Sequence, residues 1–147
     1  MFASGMAAIS TTLLAFLRPG DTLLHSRPLY GGTETLLKNQ MGAFGITAVG
    51  FTDGIDVAGM RKAADAARAK GRVGLILVET PANPTNGLVD LAACASIADE
   101  LEKETLFELS TIKLGDPNII SFSSMSASFV ARDFTVLALP VAHQITD

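Results

Sequence analysis

A polar corner follows the most apolar run of the chain. Residues 73–78 read Val-Gly-Leu-Ile-Leu-Val, a composition typical of a buried strand, and Glu79-Thr80-Pro81-Ala82-Asn83-Pro84-Thr85-Asn86 comes directly after it. In an open α/β sheet, ligands bind outside the carboxyl ends of parallel strands. The sequence therefore predicts that Glu79 and Asn83 contact a bound ligand, although a helix cap or a turn uses the same residue types.

A second candidate site stands at the start of the chain, where Ala3-Ser4-Gly5-Met6 leads into a helix-like segment. Ser4 can cap that helix, and Gly5 allows a ligand to approach the backbone closely. The N–H groups of the first turn carry the positive end of the helix dipole, which favours an anion such as a phosphate. The alternative is an ordinary helix start without a ligand.

The only tyrosine of the chain, Tyr30, is placed at a turn. It follows the strand-like residues Thr22-Leu23-Leu24-His25 and lies between Pro28 and Gly31-Gly32. An aromatic face at the end of a strand suits a flat cationic ring. The alternative is a half-buried tyrosine that belongs to the core.

Helical and strand-like stretches alternate along the first hundred residues. Glycine, proline and charged residues punctuate each break, as in Arg18-Pro19-Gly20-Asp21. This alternation predicts right-handed βαβ units, and therefore an α/β fold with a mostly parallel sheet and flanking helices. We predict helices at 5–17, 31–41, 57–69 and 91–104, and strands at 22–25, 46–51 and 73–78. After Glu104 the pattern weakens, and 136–141 reads as a short strand or a tail.

In this order and combination, the Ser-Gly-Met turn, the Tyr-Gly-Gly-Thr segment and the Glu-Thr-Pro-Ala-Asn-Pro corner resemble the pyridoxal-phosphate enzymes of cysteine and methionine metabolism. That family includes cystathionine γ-synthase, cystathionine γ-lyase, methionine γ-lyase and the O-acyl-homoserine sulfhydrylases. The resemblance runs from Phe2 to about Glu104. It implies the fold type I PLP-dependent transferase fold, with residues 1–105 as part of its large domain, and pyridoxal 5'-phosphate as the cofactor.

The resemblance also implies a role for each candidate residue. The backbone amides of the Ser4-Gly5-Met6 turn would hold the cofactor phosphate. Tyr30 would stack on the pyridine ring and assist proton transfer, which makes it the catalytic candidate. Asn83 would lie beside the phenolic oxygen of the cofactor, and Glu79 belongs to the same cofactor-binding signature.

Two parts that the family needs are not identifiable in this sequence. The Schiff-base lysine is expected in a Ser-x-Thr-Lys-Tyr segment, and Ser110-Thr111-Ile112-Lys113 misses that spacing by one residue. The aspartate that keeps the pyridine nitrogen protonated is expected in an apolar strand reading Val-Asp-Asn-Thr or similar. Residues 106–147 instead form a divergent tail that resembles, in part, the small carboxyl-terminal domain of the family. The resemblance also implies an upstream arm, which we do not expect in this chain.

We therefore expect a truncated transsulfuration enzyme, whose complete relatives perform β- or γ-elimination or replacement on sulfur amino acids or activated homoserine. With both catalytic partners unidentified, we expect its catalysis to be impaired. The rival hypothesis is a non-catalytic remnant or interaction fragment that associates with a full-length paralogue. A generic nucleotide-binding protein is disfavoured because no Gly-x-Gly-x-x-Gly or Walker pattern follows a strand.

The composition of the chain limits the classes of partner that it is expected to bind. The net charge of −4 and the lack of a basic run argue against nucleic acid and anionic membranes, and favour a small amino-acid substrate. The family forms homo-oligomers. The single cysteine, Cys94, cannot make an internal disulfide and is interpreted as core packing rather than a reactive thiol; no signal peptide or membrane span is recognised, so we expect a cytoplasmic protein. The two histidines, His25 and His143, lack neighbours at ligand spacing, and no metal is expected.

Overall fold

The computed structural model describes residues 3–82, 84–103, 120–124 and 134–140. Its α-helices are α1 (Gly5–Phe16), α2 (Gly31–Thr35), α3 (Val57–Arg68) and α4 (Leu91–Lys103). Its strands are β1 (Thr22–Ser26), β2 (Thr47–Phe51), β3 (Val73–Thr80), β4 (Ile120–Ser124) and β5 (Phe134–Pro140). Within these residues, no helix combines the length and the apolar character needed to cross a membrane.

The five strands form one sheet in the order β2-β1-β3-β5-β4. Strands β2, β1 and β3 are parallel, with Leu24 of β1 paired to Val49 on one side and to Ile76 on the other. Strand β5 is antiparallel to both β3 and β4. The predicted parallel sheet with flanking helices is confirmed, and the ambiguous segment 136–141 is a strand over Phe134–Pro140.

Helices cover both faces of the sheet, and each face has its own apolar core. Because side chains alternate along a strand, Leu24 and Ile76 point to α3 and α4, while Leu23 and Leu75 point to α1 and the segment after α2. Cys94 belongs to the first core and is fully buried, as predicted. Burial raises the pKa of its thiol to about 12, so the neutral thiol packs as a small hydrophobe.

The helix predicted over residues 31–41 is not one regular α-helix. After α2 the chain continues as a six-residue π-helical segment, Leu36–Met41. The buried side chains Thr33, Leu37 and Met41 are spaced by four residues. In an α-helix of 3.6 residues per turn, each such step drifts by about 40° around the axis. The wider π turn offsets that drift, and Leu37 and Met41 both lie in the core with β1 and β3.

Strand β3 is two residues longer than the apolar run predicts. Its last two residues, Glu79 and Thr80, pair with Val136 and Thr135 of β5. The antiparallel strand β5 thus pairs with β3 up to Thr80, whereas the parallel strand β1 pairs with it only up to Leu77. Glu79 is therefore the end of a strand, and the polar corner begins at Pro81.

A buried ion pair ties the opposite, amino-terminal edge of the sheet together. Arg72, which precedes β3, donates from Nε to Oδ1 of Asp21 at 2.9 Å and from Nη2 to Oδ2 at 2.6 Å. The backbone N–H of Arg18 donates to the same Oδ2 at 2.7 Å. Asp21 precedes β1, so this carboxylate joins the entry of two neighbouring strands to the end of α1.

We predict that D21N lowers the free energy of unfolding by about 1–3 kcal/mol, because it removes a charged acceptor from three buried or half-buried donors. The matched control is D65N, since Asp65 forms an exposed pair with Arg68 at 3.9 Å. Such a pair contributes at most about 1 kcal/mol, and we expect D65N to change stability by less than about 0.5 kcal/mol. Urea denaturation of the two variants checks this, and equal effects would contradict it.

Candidate functional site

The amino terminus of α1 is built to receive an anion. Ser4 has extended backbone dihedrals (φ −156°, ψ 161°), and its Oγ accepts the N–H of Ala7 at 3.1 Å. The predicted cap is thus confirmed. The N–H groups of Gly5 and Met6 belong to the first turn, which has no preceding helical carbonyls to accept them. Together with the dipole of the helix, they form the donor set that a phosphate prefers.

Tyr30 lies at the carboxyl edge of the sheet, between β1 and α2, where it is the cap residue of α2. Its side chain is 53% exposed, whereas its neighbour Leu29 is buried in the core beneath α1. The alternative interpretation of Tyr30 as a core residue is therefore wrong. An aromatic face is left open at the edge of the sheet where ligands of α/β folds bind.

The Ser4-Gly5-Met6 turn and the Tyr30 segment meet at Gly32. A Cβ built on Gly32 would lie 2.6 Å from Cε1 of Tyr30 and 3.2 Å from Sδ of Met6. The hydroxyl of Thr33 points to the same sulfur, at 3.9 Å. The missing side chain of Gly32 thus allows α2 to bring the ring of Tyr30 close to the first turn of α1.

Glu79 lies at this edge but is almost completely buried. Its side chain is only 3% exposed, and its Oε2 accepts the backbone N–H of Tyr30 at 2.7 Å. Its own backbone N–H donates to Oγ of Ser26, at the end of β1, at 3.0 Å. Glu79 therefore contacts the main chain of a second candidate residue. Asn83, the other residue predicted from this corner, lies outside the described residues.

Sequence reasoning missed two residues that hold this edge. Ser26 is buried at the end of β1 and supports Glu79, and Glu34 accepts the N–H of Leu29 at 3.3 Å through Oε1. A polar side chain that directly follows a buried strand was the available signal for Ser26. Glu34 occupies the first turn of α2, where an acidic residue is favoured by free N–H groups.

An open cleft of about 460 Å³ lies beside the site at the same edge. The side chain of Arg27, another residue that sequence reasoning missed, lines it together with Thr52, Asp53 and Glu79. The stem of Arg27 runs across β2 at Gly50, where a Cβ would lie 2.8 Å from its Cδ. A glycine at position 50 therefore leaves the space that this arginine occupies.

His25 is buried inside β1 and is not part of an open site. Its Nδ1–H donates to the carbonyl oxygen of Ser26 at 2.9 Å, and desolvation lowers its pKa, so the ring is neutral at neutral pH. Among the described residues, no group of three or more His, Cys, Asp and Glu side chains is arranged to hold a metal ion.

The lysines with described side chains are all exposed. Lys38 is exposed in the π-helical segment, Lys62 is exposed on α3, and Lys70 is exposed in the turn before β3. Lys113, the weak candidate for a Schiff-base lysine, lies outside the described residues. The candidate site thus consists of the main-chain amides in the first turn of α1 and an open aromatic face at Tyr30.

Comparison with known proteins identifies the family of the chain. The family model for the Cys/Met metabolism PLP-dependent enzymes matches residues 1–107. An L-methionine gamma-lyase of Pseudomonas deceptionensis is 42% identical over 97 residues, which are 66% of this chain and 23% of that protein. A cystathionine beta-lyase of Bacillus subtilis is 40% identical over 101 residues, or 67% of this chain and 24% of that protein.

A solved structure agrees with these sequence matches. Cystathionine gamma-lyase from Lactobacillus plantarum, complexed with L-serine, superposes with a TM-score of 0.60 at 33% identity. The match covers 68% of this chain and 24% of that one. The described fold is accordingly that of the fold type I pyridoxal-phosphate enzymes.

The chain belongs to the Cys/Met metabolism family of PLP-dependent enzymes, because the family model covers well over half of it. The matched region spans about a quarter of the length of the curated relatives, 23–24% in the two cases above. The recognition made from the three sequence motifs is therefore confirmed.

The residues present fit two parts of pyridoxal phosphate. The capped first turn of α1 offers main-chain donors to a phosphate, and the exposed ring of Tyr30 offers a face to a flat heterocycle. The close approach at Gly32 brings these two features within one small region. The described residues thus provide the donor set for the phosphate and one face for the ring.

We predict that G32A displaces the ring of Tyr30, since the added Cβ would meet Cε1 and the ring is free to move outward. The matched control is G31A, because a Cβ at position 31 meets nothing within 4 Å. Near-ultraviolet circular dichroism of the single tyrosine measures the displacement. We expect G32A to change that signal and G31A to leave it as in the wild type; the reverse pattern would contradict the described packing.

Proposed function

We propose that residues 1–105 form part of the cofactor-binding domain of an enzyme that acts on sulfur amino acids or activated homoserine by β- or γ-elimination or replacement. The observation that supports this most directly is the Ser4-capped terminus of α1 beside the exposed ring of Tyr30. Membership of the family supports pyridoxal phosphate as the cofactor and this class of reaction. In this proposal residues 106–147 are a divergent tail.

The proposed grip on the cofactor divides among three groups. The N–H groups of the Ser4-Gly5-Met6 turn would hold the phosphate and the ring of Tyr30 would cover the pyridine, while the family resemblance assigns Asn83 to the phenolic oxygen. Glu79 contributes from below, through the backbone of Tyr30. When bound, pyridoxal phosphate supplies an electron sink for bonds at the α-carbon of an amino acid.

Tyr30 is the proposed catalytic residue within this chain. Its hydroxyl group is on an exposed side chain, and the backbone beneath it is held by a carboxylate at 2.7 Å. A phenol in that position can exchange a proton with a substrate group that lies over the cofactor ring. The supporting backbone limits the positions that the phenol can occupy.

We further propose that the 147-residue chain alone binds the cofactor with little or no turnover. The lysines at positions 38, 62 and 70 are exposed, and the sequence has no segment with the lysine spacing of the family. A lysine amine is the group that moves protons in this chemistry. Without it, the described side chains can hold and orient a ligand but cannot complete the reaction.

The first test is a spectroscopic titration of the chain with pyridoxal phosphate, followed by borohydride reduction and peptide mapping. We expect the binding of pyridoxal phosphate to saturate. Reduction should label no one lysine specifically, and methionine and cystathionine should not be turned over. S4A should weaken the binding of pyridoxal phosphate, and it should also cost about 1 kcal/mol of stability through the lost cap. The control is S96A, since Ser96 bonds only the exposed Glu100 on α4 at 3.2 Å. One labelled lysine with turnover would refute the proposed impairment.

A second function, non-catalytic association, is supported by the surface of α1. This helix is apolar on most of its circumference, and its side chains Leu14 and Phe16 are 52% and 36% exposed. A helix of that kind is normally covered by another part of a protein. We propose as the alternative function that the chain docks on a second copy or on a full-length relative through α1.

Light scattering of the chain, with and without a full-length family member, tests this alternative. We expect L14K to abolish the added mass, because a charge would then face the buried interface. The control variant is I55K, since Ile55 is 70% exposed in the loop after β2, at the carboxyl edge of the sheet. A monomer that does not respond to the relative would exclude the association.

A further inference from the structure

Two carboxylates hold the main chain at Leu29 and Tyr30 from different directions. Glu79 Oε2 accepts the N–H of Tyr30 at 2.7 Å, and Glu34 Oε1 accepts the N–H of Leu29 at 3.3 Å. The shorter bond is the one to Glu79, which is buried. A hydrogen bond to a carboxylate is stronger in a buried environment than in water. Glu79 thus provides the stronger of the two restraints on this segment.

Glu79 is itself held on both sides. It is the next-to-last residue of β3, where it pairs with Val136 of β5, and its N–H donates to Oγ of Ser26 at 3.0 Å. Strand β3 is the central strand of the described sheet. The carboxylate is therefore attached to the central strand and connects the ends of β1 and β3 to the turn at Tyr30.

We propose that Glu79 is a positioning residue, which sets the orientation of the Tyr30 ring by accepting its main-chain N–H and thereby controls cofactor affinity through that ring. The proposal rests on the function proposed above, in that the ring of Tyr30 covers the cofactor. It changes the role expected for Glu79 from a contact with the cofactor to a support for the residue that makes the contact.

The geometry favours support over direct contact. The side chain of Glu79 is 3% exposed, whereas that of Tyr30 is 53% exposed, so a ligand at this edge reaches the ring far more readily than the carboxylate. The direction of a tyrosine ring follows from its Cα–Cβ bond, and therefore from the backbone that Glu79 fixes. The ring lies beside Gly32, whose missing side chain leaves room for its Cε1.

The chain provides a selective reporter for this proposal. It contains one tyrosine and no tryptophan, so its tyrosine fluorescence and the tyrosine band in its near-ultraviolet circular dichroism come from residue 30 alone. The circular dichroism measures how well the ring is fixed without any ligand. The fluorescence measures whether pyridoxal phosphate approaches the ring, with free N-acetyltyrosinamide as the control for absorption by the cofactor.

The variants separate the hydrogen bond from the charge. E79M has a side chain of similar length without a strong acceptor, whereas E79Q keeps an oxygen that can accept the N–H of Tyr30. S26A removes the hydroxyl that supports the backbone of Glu79. E100M is the matched control, since Glu100 is exposed on α4, where it pairs with Arg61.

We expect E79M to lose most of the tyrosine circular dichroism and to bind pyridoxal phosphate about tenfold more weakly, which corresponds to about 1.4 kcal/mol. E79Q should keep the dichroism and bind within about threefold of the wild type, a difference of less than 1 kcal/mol. S26A should fall between these two variants, and E100M should match the wild type. Pyridoxal without the phosphate should show the same ranking at lower affinity.

Three results would overturn the proposal. The first is an E79M variant with unchanged tyrosine dichroism. The second is an E79Q variant as weak as E79M in binding while its dichroism is intact, which would assign a direct role to the charge. The third is an S26A variant identical to the wild type. If E79M does not unfold cooperatively, the S26A and E79Q variants decide the test. Absence of quenching in the wild type would instead refute the proposed function, while the dichroism still tests the support of Tyr30.

Discussion

The burial of β3 on both faces is the constraint from which the rest of the described structure follows. Leu75, Ile76, Leu77 and Val78 are shielded almost completely from solvent, alternately by α1 with the π-helical segment and by α3 with α4. A strand in that position leaves no face for a ligand, so polar chemistry is confined to its ends. At the amino end, Asp21 and Arg72 close the edge with an ion pair. At the carboxyl end, the edge stays open and the candidate site is formed.

The site arises from the hydrogen bonds that strand ends and turns leave unpaired. Where the parallel ladder between β1 and β3 stops, main-chain N–H groups need acceptors other than a neighbouring strand. Ser26 accepts the N–H of Glu79, and Glu79 accepts the N–H of Tyr30. Ser26 thus accepts a backbone N–H from β3, and Glu79 accepts one from the segment at Tyr30, which carries the exposed ring. Support of the fold and orientation of the ring are therefore the same set of interactions.

The parts of this arrangement that sequence predicts are those with a local physical cause. The alternation of apolar runs and helical periods is a property of short segments, and it located β1, β2, β3, α1, α3 and α4 within one or two residues and the start of α2 at Gly31. The cap at Ser4 follows from its own neighbours in the same way. The π-helical turn at Leu37 and Met41 depends on distant packing against the sheet, and so does the extension of β3 to Thr80 by pairing with β5. The bonds of Asp21 to Arg72 and of Glu79 to Tyr30 join residues about fifty positions apart, for which one sequence contains no local signal.

In the proposed site, holding a cofactor and transforming a substrate depend on different kinds of residues. Main-chain donors at Ser4-Gly5-Met6 and a ring fixed from below by Glu79 are consequences of the fold itself, since they use the backbone and residues that also stabilise the sheet. A proton-transferring lysine acts on the substrate instead, and the reaction proposed above needs such a group in addition to the binding groups. On the function proposed above, cofactor affinity should therefore follow the order of Tyr30, whereas turnover should depend on a separate proton-transferring group.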